Sequence, residues 1–163
     1  MSLLQIAPLR DWPTKLDELA AAHHAEWSPL IGPDWTLDVA RAELHDSCGD
    51  APLPATFVAV QDGEACGSVS LLVDDADDLR GYGGPWLGSL WVSPTYRRRG
   101  IGARLVRHAV EEAARRGVDR LLLFTPRHAA FYRSLGWADV GGARVRGEPV
   151  DVLSCYPRIA MQS

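Results

Sequence analysis

The residues best able to do chemistry are concentrated in one short segment, Val92-Ser-Pro-Thr-Tyr-Arg-Arg-Arg-Gly-Ile-Gly-Ala103, which joins a strand-like run to the clearest helical pattern in the chain. A glycine-bearing turn at a helix N-terminus offers free backbone N–H groups and the positive end of the helix dipole, which suits a phosphate. Gly100 and Gly102 let backbone approach a ligand without interference from a Cβ, and Arg97, Arg98 and Arg99 add positive charge. The Walker pattern GxxxxGK[ST] is absent. A dinucleotide fingerprint fits badly, because Leu105 stands where the third glycine belongs and Arg120 where an acid is expected.

Other residues carry chemistry more diffusely. His23, His24 and Trp27 fall near the end of the first helical pattern, and an imidazole with a pKa near 6.5 can relay a proton. A histidine on an apolar helix face is more often a satisfied core residue. Asp74, Asp75, Asp77 and Asp78 form an acidic loop that could attract a cationic amine or simply be solvated. Cys48, Cys66 and Cys155 are odd in number, widely spaced and free of any CxxC pattern, so a disulfide framework and a zinc site are both disfavoured. They read as small core fillers in a reducing cytoplasm.

The elements that must position these groups alternate between strand and helix. Leu4–Leu9 reads as a strand. Thr14 offers an N-cap for a helix whose Leu16, Leu19, His23 and Trp27 share one face, followed by a loop over Ser28–Pro33. A second helix is predicted from Thr36 to about His45. Thr56–Gln61 and Ala65–Val73 flank Asp62-Gly63, a hairpin signal. After an acidic, Gly-rich loop come a strand over Trp86–Val92, stopped by Pro94, and a helix over Ile101–Arg116 with the apolar stripe Ile101, Leu105, Ala109 and Ala113. The pairs Arg107/Glu111, Glu111/Arg115 and Glu112/Arg116 lie at i,i+4 on its wet side. A buried strand over Leu121–Phe124, a short helix over Arg127–Leu135, and two strands near Ala143–Arg146 and Val150–Tyr156, joined through Gly147-Glu-Pro149, complete one mixed α/β domain.

Composition bounds the rest. The 163 residues, 47% hydrophobic and 23% charged, can bury a core without metals or staples. The N-terminus lacks the pattern of a signal peptide, and no apolar run approaches a membrane span. The net charge of −4 conceals an asymmetry: residues 1–80 hold 15 acids and four bases, whereas residues 81–163 hold six acids and 13 arginines. The basic half could hold a phosphorylated ligand and the acidic half attract a cation, although plain surface charge explains the split equally well. An acidic pI of about 5.7 and scattered arginines argue against a nucleic-acid partner. Six tryptophans leave room for an exposed aromatic patch and a homodimer.

Arg97-x-x-Gly100-x-Gly102, after a strand ending Leu-Trp-Val-Ser-Pro, resembles the Arg/Gln-x-x-Gly-x-Gly/Ala motif of the GCN5-related N-acetyltransferases (GNAT). Phe131-Tyr-Arg-Ser-Leu-Gly-Trp137 is similar to that family's FYxxLGF signature, and the strong resemblance covers Trp86–Trp137. The resemblance implies one N-acetyltransferase domain over residues 1–163. Its α/β fold would have a central, mostly antiparallel sheet of about seven strands, splayed between the fourth and fifth and flanked by about four helices. It implies acetyl-CoA as co-substrate and no metal. The cofactor would be held by Arg97 together with Arg98, Arg99, Gly100, Ile101, Gly102 and Ala103, the backbone amides from Arg98 to Ala103 cradling its pyrophosphate, with the pantetheine arm along Leu90, Trp91 and Val92. Thr125 stands where many relatives carry a pantetheine-binding Asn. Tyr132 matches the tyrosine that protonates the departing thiolate. His24, Trp27 and Asp75 fall where the fold commonly walls the amine acceptor, a small molecule or a peptide. The strand carboxylate that many relatives use as a base is absent here, so no base is assigned. A CoA-binding module without turnover and a transferase of another acyl group are the competing readings.

Overall fold

The structure, a computed structural model, describes residues 3–158; residues 1, 2 and 159–163 of the expected domain lie outside the described residues. Along the chain the elements are β1 (Gln5–Pro8), α1 (Leu16–Ile31), α2 (Leu37–Asp46), β2 (Ala55–Gln61), β3 (Glu64–Leu72), β4 (Trp86–Val92), α3 (Ile101–Arg115), β5 (Leu121–Thr125), α4 (Ala129–Ser134), β6 (Ala138–Val145) and β7 (Glu148–Cys155). The seven strands are ordered β1-β2-β3-β4-β5-β7-β6, mostly antiparallel, with β4 and β5 parallel. The fold is the mixed α/β arrangement expected. The chain divides into two compact units, Met1–Ser70 with Ser89–Leu105, and Leu71–Gly88 with Val106–Ser163.

In the first unit, β1 pairs antiparallel with β2, Gln5 opposite Val60 and Pro8 opposite Phe57. The predicted apolar face of α1 buries Leu19 and His23 and packs on Leu9, Val58, Val60 and Trp91, with Leu16 and Trp27 partly covered at its rim. Two expectations for this helix are corrected. Thr14 does not cap it; Pro13–Lys15 form a 3-10 turn instead, because proline presets the helical φ and leads directly into Leu16. Nor does a loop begin at Ser28. Pro29 sits inside the last turn, where one lost N–H bond is tolerated, and the helix ends at Gly32, whose φ of 112° no helix accepts. Helix α2 starts as predicted, with Thr36 Oγ1 accepting from Val39 N at 3.2 Å.

In the second unit, β5 pairs antiparallel with β7, and β7 with β6. Leu79, Trp86, Leu122, Val145, Val150 and Val152 form its core. The last hairpin differs from expectation. Its turn is Arg146-Gly147, both at positive φ (50° and 79°), and Glu148 and Pro149 belong to β7. Consecutive left-handed residues match the strand twist, as in two-residue hairpin turns. β6 also begins earlier than expected, at Ala138. In α3 the stripe Leu105, Ala109 and Ala113 is fully buried, and Glu112 accepts from both Arg115 at 2.7 Å and Arg116 at 3.5 Å.

Candidate active site

The Arg97–Ala103 turn is built on the end of β4. Ser93 N donates to Cys66 O of β3 at 2.9 Å, and Pro94–Tyr96 form a 3-10 turn that swings the chain out of the sheet. Tyr96 folds inward, its hydroxyl donating to Glu64 at 3.2 Å while Arg99 lies 5.3 Å over its ring. Burial, and then the hydrogen bond to that carboxylate, hold the phenol pKa above its usual value. Arg98 and Gly100 are both left-handed, at φ 64° and 79°. Only glycine takes that conformation freely, and left-handed residues are the conformation from which anion-binding backbone nests are built. Arg104 N donates to Gly100 O at 3.2 Å, the first i to i−4 bond of α3, so the amides of Ile101, Gly102 and Ala103 precede the helical ladder. Exposed arginines and unladdered amides fit a diphosphate.

One member of the expected anion set is used differently. Arg97 Nε donates to Val92 O at 3.0 Å and its Nη2 to Glu26 of α1 at 2.8 Å. The guanidinium therefore anchors the turn to β4 and α1. Sequence spacing could not reveal Glu26, which lies 71 residues away.

On β4 itself, Ser89 breaks the extended run with a φ of 53°, which re-aims the side chains that follow. Leu90 and Val92 are half-buried, whereas Trp91 is buried in the first unit's core. Val92 O already has Arg97 Nε on one lone pair. At the other end of the strand, Trp86 pairs in parallel with Leu122. Asp75 approaches Gly88 so closely that a Cβ there would sit 2.8 Å from its Oδ2.

In the second unit, Tyr132 is buried on α4, its ring edge-on to Phe131 at 5.0 Å and to Trp137 at 6.2 Å. Burial pushes its pKa up to about 12, so the phenol stays protonated at any ordinary pH. Thr125 ends β5, and its Oγ1 accepts from His128 N at 2.9 Å and Arg127 N at 3.4 Å. The threonine thus shapes the turn into the helix that carries Tyr132.

The two histidines part company. His23 is 4% exposed, with Nε2 2.7 Å from Ser68 Oγ and its ring 4.6 Å from Trp27 and 6.2 Å from Trp91. Burial lowers its pKa to about 4, so it is a neutral core residue, and Trp27 packs against it. His24 instead donates through Nε2 to Trp35 O at 3.1 Å and stacks on the Trp35 ring at 5.7 Å. It lines a cavity of about 630 Å³ between the end of α1 and the start of α2. Trp35, missed by sequence reasoning, is fixed there by Nε1 donating to Glu43 at 3.1 Å. Among the described residues, no group of three or more His, Cys, Asp or Glu side chains could hold a metal ion.

A mixed sheet with an amide-bearing turn between a strand and a basic helix is an arrangement suited to a phosphorylated ligand. The chain belongs to the Acetyltransferase (GNAT) family, whose model matches residues 16–137. Solved structures share the fold. An aminoglycoside 6′-N-acetyltransferase complexed with coenzyme A is 20% identical, with TM-score 0.74 over 94% of this chain and 97% of that one. A spermidine N-acetyltransferase SpeG chimera from Vibrio cholerae and hSSAT is 13% identical, with TM-score 0.72 over 98% and 99%. The Salmonella typhimurium protein yncA with its cofactor acetyl-CoA is 16% identical, with TM-score 0.67 over 96% and 94%. No curated protein matches the chain.

Proposed function

We propose that residues 1–163 form one N-acetyltransferase domain that moves the acetyl group of acetyl-CoA to a primary amine by direct attack in a ternary complex. The Arg98–Ala103 turn carries this reading: two left-handed residues followed by three amides outside the helical ladder fit a pyrophosphate. Family membership and fold neighbours with CoA or acetyl-CoA bound support the same ligand. Backbone of Leu90, Trp91 and Val92 would line the pantetheine arm in the manner of an added strand.

The amine nitrogen attacks the thioester carbonyl, forming a C–N bond. As the C–S bond breaks, its electron pair passes to sulfur, and Tyr132 meets that charge. A phenol with a pKa of about 12 is a weaker acid than a thiol near 8.5, so its first contribution is a hydrogen bond to the thiolate rather than full proton transfer. Strands β4 and β5 carry no carboxylate, so the amine arrives uncharged and, once bonded to the acyl carbon, sheds its extra proton through water, while the departing sulfur takes up a proton and leaves as the thiol. That missing carboxylate is the one observation favouring a CoA-binding module without turnover. Three free cysteines suit a reducing cytoplasm. Thiol release on mixing the protein with acetyl-CoA and a panel of amines is expected; a thermal shift with acetyl-CoA but no thiol release would favour the module, and neither would remove the cofactor assignment.

A further inference from the structure

The cavity between α1 and α2 has a lining that bears on which amine is acetylated. Its lining includes His24, Pro29, Pro33, Trp35 and Leu37, with the hydroxyl residues Ser28 and Thr36. None of its lining residues carries a carboxylate. Thr36 Oγ1 is engaged in capping Val39 N, and the nearby Glu43 holds the Trp35 indole. The first turn of α2 carries Asp38 at the positive end of its dipole, but that carboxylate lies outside the cavity lining and faces Arg41 at 3.7 Å. A polyamine or aminoglycoside brings several ammonium groups, each of which needs its own anionic, hydrogen-bonding or aromatic partner when water is stripped away, and one indole face serves one of them. This lining offers apolar and aromatic surface instead, with the Trp35 face held by the His24 stack and the Glu43 hydrogen bond. Its volume, about 630 Å³, is that of an ordinary small-ligand site.

From this lining we infer that the acceptor is a monoamine carried on an apolar, ring-bearing body, bound through Trp35 in the α1–α2 cavity. The inference rests on the acetyltransferase reading and narrows its substrate. It separates this chain from what its fold neighbours' names specify, aminoglycosides and spermidine.

The test uses the full chain and 2-phenylethylamine, spermidine and tobramycin as probes. Calorimetry with acetyl-CoA comes first; no binding there overturns the enzyme reading itself. With acetyl-CoA bound, 2-phenylethylamine is expected to exceed both polycations at least tenfold in kcat/KM. Trp35→Ala should lower that value at least tenfold with acetyl-CoA affinity unchanged, and Trp35→Phe should restore most of it. Leu37→Glu is a second variant that should fold well, because an acid in the first turn of a helix is favourable. It should shift preference toward spermidine. Faster turnover of spermidine or tobramycin by the natural chain, or an indifferent Trp35→Ala that remains folded, overturns the assignment.

Discussion

Arg97 and Glu26 meet at 2.8 Å, and the same guanidinium holds the last carbonyl of β4. An arginine of the Arg-x-x-Gly-x-Gly motif is thereby engaged in the geometry of the turn, and the proposed diphosphate contact would fall to Arg98, Arg99 and the backbone. Both partners are about half exposed, so the ion pair alone is worth roughly 0–1 kcal/mol. Glu26→Gln should barely move the melting temperature. Arg97→Ala should weaken acetyl-CoA binding more than Glu26→Gln does, because Val92 O also loses its donor. Calorimetry on the two variants checks the order.

Gly102→Val should abolish acetyl-CoA binding and leave the fold largely intact. The residue stands in the first turn of α3, where a branched side chain would occupy the space the pyrophosphate needs. Unchanged affinity by calorimetry would reduce the turn to a structural feature. Gly100→Ala should behave differently. No atom lies within 4 Å of its added Cβ, yet a φ of 79° costs an L-residue about 1–2 kcal/mol, so stability falls.

Tyr132→Phe removes a hydroxyl from a buried ring and should lower kcat about 10²-fold or more, with little change in KM for acetyl-CoA. Because the phenol ionises only at about 12, the rate profile of the natural protein should show no alkaline limb from this residue below about pH 11. Full activity in the variant would move catalysis elsewhere.

His23 gives a stability prediction with a definite sign. Its pKa is about 4 in the fold and near 6.5 in the unfolded chain, so the unfolded state binds the extra proton between those values. The neutral form's contribution is whole above about pH 6.5 and is lost as pH falls toward 4, to a limit of about 3 kcal/mol. Urea denaturation at pH 7.5 and pH 5 should show the loss, and His23→Gln should flatten that slope if the variant folds.

Thr125→Val keeps the shape of the residue and removes the acceptor of the His128 and Arg127 amides. A cost of about 1 kcal/mol is expected, as for a lost helix cap, together with a fall in kcat from the displaced Tyr132 helix. A change in melting temperature with kcat intact would separate Thr125 from the site.

What the sequence determined by itself is local. The stripe Ile101, Leu105, Ala109 and Ala113, the Asp62-Gly63 turn, the start of a helix at Thr36 and the strand Trp86–Val92 each rest on interactions within a few residues, and all four stand as read. The Arg97–Gly102 spacing likewise announced the family, since an amide-lined turn needs its glycines at fixed offsets. The tertiary structure decided where side chains spend their polar groups. His23 and His24 are neighbours with the same chemistry, yet a helix turns adjacent residues about 100° apart. One meets Ser68, 45 residues away, inside the core; the other meets Trp35 at a cavity. Arg97 finds Glu26 across the same kind of distance, and Pro29 remains helical because a terminal turn can spare one bond. Partners that far apart leave no periodicity in the chain, and only the packed sheet and helices bring them within reach.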